Sequence, residues 1–203
     1  PHNNHELVRE DVIARILAHF ADAAIVSTTG KISRELYEIR TQCGQTHERD
    51  FLTVGSMGHA SSVALGINLA HPGIRVLCLD GDGAALMHMG ALAVNGVLAG
   101  RHFKHIVLNN EAHESVGGQP TVAGRMALGR VAAACGYRVL PTVRDETGLD
   151  AGLQALAEAP GPAFLEIFVS LASRPDLGRP RETPVENKAL FMSFIQERAH
   201  GGA

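Results

Sequence analysis

The sequence predicts an α/β protein, a doubly wound and mainly parallel sheet with helices on both faces. Three observations carry this. Five or six short apolar runs alternate along the chain with longer segments of helical spacing. Most of these runs are only four to eight residues long, the size of strands buried on both faces of a parallel sheet. No internal repeat, heptad array or low-complexity tract is present, which sets aside a solenoid or a coiled coil.

Taken in order, Leu7, Val12, Ile16 and Phe20 lie near helical spacing and predict a helix over 6–20. Residues 23–30 read as a buried strand that ends in a polar, glycine-terminated loop. A helix over 31–40, a short strand over 50–58 running into a glycine-bounded turn, and an Ala/Gly-rich helix over 59–70 follow. The alternation repeats as a strand over 73–83 ending Gly-Asp-Gly, a helix over 86–99, and a strand over 105–110 capped by two asparagines. Beyond a polar, glycine-rich loop over 111–121 come a helix across 123–135, a strand over 137–140, a helix across 146–158 and a strand over 163–170. The Pro-rich, charged stretch 174–184 is expected to be extended, with Arg174, Arg179 and Arg181 as a solvated tail, before an amphipathic helix near 185–199.

The 203 residues suit a single domain, 1–203, with 171–203 as a C-terminal extended segment and helix. Such a chain buries roughly 70% of its unfolded surface and needs neither disulfide nor structural metal for a core. A net charge of −3 with scattered lysines and arginines excludes a bulk polyanion or an anionic membrane as partner. The absence of tryptophan and the two tyrosines argue against a base-stacking platform. Cys43, Cys78 and Cys135, odd in number and each in apolar surroundings, read as reduced, buried thiols of a cytoplasmic protein. No stretch approaches the roughly 20 apolar residues of a membrane span, and the N-terminus lacks a signal-peptide core. The chain begins at Pro1 rather than Met, which suggests a fragment or a processed start. Eleven histidines invite a zinc site, but His102 and His105, like His88 and Met89, lack a nearby partner pair at ligand spacing.

In open α/β sheets ligands bind beyond the carboxyl ends of the strands. Thr28-Thr29-Gly30, Gly55-Ser56-Met57-Gly58, Gly81-Asp82-Gly83 and Asn109-Asn110 each directly follow a predicted strand. Two phosphate fingerprints nearly match there and fail: Leu86 stands where the dinucleotide motif needs its third glycine, and Ile25 and Ile32 replace the first Gly and the Ser/Thr of a P-loop. What remains is Gly81-Asp82-Gly83, 25 intervening residues, then Asn109-Asn110. Carboxylate and amide oxygens are hard ligands suited to Mg²⁺ or Ca²⁺. The glycines let backbone approach a phosphate, and the following helix start offers unpaired N–H groups. One crossover unit over 74–110 brings the two half-motifs to the same sheet edge, describing a metal-bridged diphosphate site. The plainer alternatives are a helix cap for Asp82, a turn pair for the asparagines and a core role for Met57.

This pairing resembles the diphosphate-binding signature of the thiamine-diphosphate enzymes. Gly55-Ser56-Met57-Gly58 is similar to that family's loop whose apolar residue wedges the cofactor into a bent form. The segments 27–38, 50–60 and 108–121 resemble phosphonopyruvate decarboxylases and, less closely, the β chain of sulfopyruvate decarboxylases, so the resemblance runs through nearly the whole chain. It implies thiamine diphosphate and Mg²⁺ as cofactors, the metal on Asp82, Asn110 and the Ala112 carbonyl. Asn109 would hold the turn or meet the diphosphate, Met57 would support the rings, and Ser56, Gly81, Gly83, Ala84, Thr29 and Gly30 would complete the cofactor contacts. It further implies decarboxylation of a 2-keto acid, 3-phosphonopyruvate before sulfopyruvate, with His113 and His59 as expected proton carriers. Lys31, Arg34, Ser115 and Gly118 are the expected substrate contacts, and 111–121 the expected lid. The family also needs a glutamate from a pyrimidine-binding domain, which would take roughly 150 more residues. That domain is expected upstream in the same polypeptide or on a partner subunit, in a homo-oligomer, with this chain inactive alone. The alternative of another class is a non-catalytic diphosphate-binding regulatory module.

Overall fold

The computed structural model describes residues 3–171 and 173–200. In chain order the elements are α1 (Arg9–His19), β1 (Ala24–Ser27), α2 (Lys31–Gln42), β2 (Asp50–Leu52), α3 (Ala60–Ala70), β3 (Val76–Gly81), α4 (Asp82–Met87), α5 (Ala91–Leu98) and β4 (Phe103–Asn109). A small hairpin, β5 (Ala112–His113) and β6 (Gln119–Pro120), precedes α6 (Leu128–Ala134), β7 (Arg138–Val139), α7 (Glu146–Glu158), β8 (Ala163–Phe168) and α8 (Pro184–His200). Six strands form one sheet in the order β2-β1-β3-β4-β8-β7, every neighbouring pair parallel. The order reverses around β1 and β3, the switch point at which such sheets open a crevice.

Strand alternation divides the core into two layers. Ile25, Leu77, Leu79, Ile106 and Leu165 face α1, α2 and α7, whereas Val26, Val76, Cys78, Phe103 and Phe164 face α3, α5, α6 and α8. A buried aliphatic or aromatic side chain contributes roughly 1.5–3 kcal/mol, and Phe191, Phe194 and Ile195 are the side chains through which α8 packs onto the second layer. That helix also closes a sheet edge. Asn187 donates through Nδ2 to the Asp50 carbonyl (2.8 Å) and accepts from Leu52 N–H (3.0 Å), taking the place of a neighbouring strand beside β2.

Several expectations are corrected. The helix expected over 86–99 is two helices: α4 starts at Asp82, and the chain turns at His88–Gly90, where His88 packs against Gly58. The helix expected across 123–135 is a 3-10 turn, Ala123–Arg125, followed by α6. The loop 111–121 is folded as the β5–β6 hairpin around a 3-10 turn, Glu114–Val116. Cys43 is exposed, because it falls just beyond the last turn of α2; Cys78 is buried and Cys135 half-buried. Arg174 is no solvated tail: it pairs with Glu10 (2.9 Å) and with Glu38, tying the segment before α8 to α1 and α2. His105 has partners after all, since the parallel register sets it opposite Cys78, and the Cys78, Asp80 and His105 ligand atoms lie within 4.8 Å of one another. Among the described residues no helix is long and apolar enough to cross a membrane.

Lys104 of β4 is 2% exposed and donates to the Ala159 carbonyl. Burial, helped by Arg75, Arg101 and Arg138, pulls its ammonium pKa down to about 8. A lowered lysine pKa means that Lys104 holds fewer protons in the folded chain than in the unfolded one between about pH 8 and pH 10, so its contribution to stability rises with pH across that window. In urea titrations the parent should gain about 2–3 kcal/mol there relative to Lys104→Met.

Candidate functional site

The carboxyl ends of β1, β3 and β4 open into one cleft, floored by Gly81, Asp82 and Gly83 and walled by Thr28-Thr29, Met57, Asn110, Ala112 and the β5–β6 hairpin. Sequence and topology act together here. Parallel β3 and β4 end side by side, Gly81 opposite Leu108, so Asp82 and Asn110 emerge from the same edge although 28 positions apart.

Asp82 is 2% exposed, and Thr121 of the hairpin's far side donates to its Oδ2 at 2.5 Å. It makes no side-chain cap to α4, whose N-cap is Gly81, so the plain capping role does not account for it. Burial pushes its carboxyl above the usual aspartate range, and the Thr121 hydrogen bond only partly offsets this. Asn110 Oδ1 accepts from Ala112 N–H (3.1 Å), and its Nδ2 donates to Glu114 (3.0 Å).

Asn109 takes a different direction. It has the same strand parity as Phe103, His105 and Val107, so its side chain turns into the second core layer, away from the cleft. There Nδ2 donates to Glu166 (2.8 Å) and Oδ1 accepts from Glu111 N–H (3.0 Å), fixing a turn in which Glu111 has φ 58°. Of its two expected roles, the structure displays the turn.

The remaining expected residues separate. Thr29, Met57, Ala84, His113 and Ser115 line the cleft together with Lys31. His113 lies so close over Gly83 that a Cβ there would meet its Nδ1 at 2.6 Å. Ser115 packs against Gly30, which carries φ 109° at the start of α2. Ser56 (φ 48°) and His59 are exposed; the His59 ring lies 4.3 Å from that of His88, outside the cleft. Gly118 donates to the His113 carbonyl (3.0 Å) and shapes the hairpin. Arg34 points into an adjoining groove.

The residue that sequence reasoning missed is Arg9. It is 3% exposed, forks onto Glu35 with two 2.6 Å hydrogen bonds, and reaches Glu114 at 2.5 Å in the cleft wall. Burial works against charge on Arg9, but the two carboxylates outweigh it and hold the guanidinium protonated. Burial likewise opposes ionisation of Glu114, yet Arg9 and Lys31 (2.9 Å) prevail and hold it below the usual glutamate range. The signal was in the sequence. Arg9 and Glu35 occupy the apolar stripes of facing helices, beside Val12 and Ile16 and beside Ile32, Leu36 and Ile39. Thr28, singled out in the sequence within a strand-end cluster but given no role of its own, is 3% exposed on the cleft wall, and its Oγ1 has no hydrogen-bond partner among the described residues.

A parallel sheet whose β3 and β4 ends present an aspartate and an asparagine to one cleft is the arrangement of a diphosphate-binding domain. Residues 29–167 match the model of the thiamine pyrophosphate enzymes' C-terminal TPP-binding domain, and the chain belongs to that family. Among its relatives are phosphonopyruvate decarboxylases of Streptomyces viridochromogenes (39% identical over 94% of this chain) and Streptomyces hygroscopicus (38% over 93%), and the chain spans about half their length, 47% and 46%. Sulfopyruvate decarboxylase subunit beta of Methanococcus maripaludis is 33% identical over 95% of this chain and 100% of its own length. A Mycobacterium smegmatis structure assigned to the thiamin diphosphate-dependent enzymes shares the fold, with a TM-score of 0.63 and 22% identity over 83% of this chain and 33% of that one.

Arg9→Met strands Glu35 in the buried layer between α1 and α2 and weakens the hold on Glu114 in the cleft wall, and should lower unfolding free energy by about 3–5 kcal/mol. Denaturant melts should show Arg9→Met/Glu35→Leu recovering most of that loss, because it removes the more deeply buried of the two charges.

Proposed function

We propose that this chain is the diphosphate- and magnesium-binding part of a thiamine-diphosphate-dependent 2-keto acid decarboxylase. The substrate in this reading is 3-phosphonopyruvate, and the products are phosphonoacetaldehyde and CO₂. The observation that carries it is the convergence of Asp82 and Asn110 on one cleft, where the local donors suit the cofactor pair. Asp82, Asn110 and the Ala112 carbonyl offer only hard oxygens, the set that Mg²⁺ takes alongside phosphate and water. The buried Asp82 carboxylate, and the Thr28 Oγ1 that has no partner among the described residues, are polar groups that a metal diphosphate would engage.

Bound there, the cofactor supplies a nucleophilic carbon and an electron sink for loss of CO₂. The residues of this chain do the rest. Asp82, Asn110 and Ala112 hold the metal; Gly81, Gly83, Ala84, Thr29 and Gly30 bring backbone close to the diphosphate; and Met57, half-buried at the cleft rim, supports the rings, with Ser56 beside it in the loop. Asn109 and Glu166 keep the turn that aims Asn110. His113 carries a proton at the cleft, held over Gly83, whereas His59 serves only if the assembled enzyme brings it inward. Gly118 shapes the hairpin that carries Ser115, and water is excluded by that hairpin.

The glutamate that works on the pyrimidine comes in this reading from a pyrimidine-binding domain outside this chain. The half-length match to the Streptomyces decarboxylases favours the same polypeptide, and the end-to-end match to the Methanococcus beta subunit favours a partner subunit. The latter also supports a second reading, a sulfopyruvate decarboxylase beta subunit. A homo-oligomer and a cytoplasmic location belong to the same proposal, the latter supported by three unpaired thiols.

In the complete enzyme Asp82→Ala should weaken Mg²⁺-dependent thiamine diphosphate binding by more than the roughly 10–100-fold that outer-shell changes cost at metal sites. Calorimetry and a CO₂-release assay would read both effects, and decarboxylation that survives the substitution would sink the assignment. Comparing turnover of 3-phosphonopyruvate and sulfopyruvate decides between the two readings.

A further inference from the structure

Beside the cofactor cleft lies a second groove of about 300 Å³, at the small end of the range of ligand pockets. It runs between the start of α2, the end of β2 and the segment that leads into α8, and Thr29 lines both cavities. Gly30, next in the chain, lines the groove while packing against Ser115 of the cleft. The two cavities are thus adjacent, with Thr29 in the wall of both.

The charges in this groove differ in kind from those of the cleft. In the cleft, Lys31 is committed to Glu114 (2.9 Å) and to Ser173, and the Arg9 guanidinium to Glu35 and Glu114. In the groove, Arg34 of α2 and Arg179 from the segment before α8 form no ion pair and no side-chain hydrogen bond among the described residues. Glu182, the one carboxylate in the lining, lies within ion-pair distance of neither. The first turn of α2 carries no acidic residue and no side-chain cap, so its N–H groups add to the positive field. Two uncommitted guanidinium forks from separate elements are the donors that grip a tetrahedral oxyanion, and Arg does so with directed hydrogen bonds.

We infer that Arg34 and Arg179 bind the second acidic group of the substrate, the phosphonate or sulfonate that is kept when CO₂ leaves, and thereby select two-acid over one-acid 2-keto acids. This rests on the decarboxylase reading and adds to it the element that separates such substrates from pyruvate. It also divides the labour of the two cations near the start of α2: Lys31 organises the hairpin, and Arg34 meets substrate.

The test uses the complete enzyme with thiamine diphosphate and Mg²⁺. Arg34→Gln and Arg179→Gln should each raise the KM for 3-phosphonopyruvate by about tenfold or more, the worth of a charge-assisted hydrogen bond. The preference in kcat/KM for 3-phosphonopyruvate over pyruvate should fall by a similar factor, and Arg34→Lys should recover part of it. Thiamine diphosphate affinity, unchanged in both variants, shows that the fold is intact. An unaltered preference would overturn the inference, as would an equal loss on both substrates. Methylphosphonate serves as a probe independent of turnover: its binding to the loaded enzyme, by calorimetry, should weaken in both variants. If no 2-keto acid is turned over while methylphosphonate binding still depends on the two arginines, the decarboxylase reading falls and the anion site stands. If methylphosphonate binds the variants as well as the parent, the anion site falls whatever the enzyme decarboxylates.

Discussion

One buried positive charge organises the site. Arg9 projects from α1 through the layer between α1 and α2, takes both oxygens of Glu35, and ends on Glu114 of the hairpin. Glu114 then passes the constraint on, accepting from Asn110 Nδ2 and from Lys31. A guanidinium placed among Val12, Ile13 and Ile16 costs desolvation free energy that a surface pair would not. In return, α1, α2, β4 and the hairpin have one compatible arrangement, and the two ends of the cleft wall cannot drift independently.

The rest follows from strand geometry. A parallel sheet sends all its carboxyl ends to one side, so residues distant in sequence share an edge without long connections. Strand alternation then decides what each of them can do. Asn109 and Asn110 have the same chemistry, yet one belongs to the core and braces Glu166, and the other faces the cleft. The pair is a division between a structural amide and a functional one, set by a period of two.

Much of this was legible in the chain itself. The six strands of the main sheet were visible as short apolar runs, and the cleft residues as small polar clusters behind them, because those signals are local; the hairpin strands β5 and β6 were not. The break between α4 and α5 was not, since nothing in His88-Met89-Gly90 stops a helix by itself; the close approach of His88 to Gly58 is tertiary. The Cys78, Asp80 and His105 cluster needed the β3–β4 register, and Asn187 needed the open edge of β2. Arg9 and Glu35 were legible in principle, as opposite charges on two apolar stripes. They pass as ordinary helix residues until the facing of α1 and α2 is known. The division of Lys31 from Arg34 depends on where Glu114 and Ser173 fall, which no spacing encodes.

Asn3 bears on the same edge. Its amide donates to the carbonyls of Asn110 (2.7 Å) and Val169 (3.2 Å), and its oxygen accepts from Leu171 N–H (2.7 Å). Residues ahead of the first helix thus act as a stitch across the ends of β4 and β8. The leading segment and the peptide that carries Asn110 are thus held by one shared amide, so neither shifts alone without breaking hydrogen bonds.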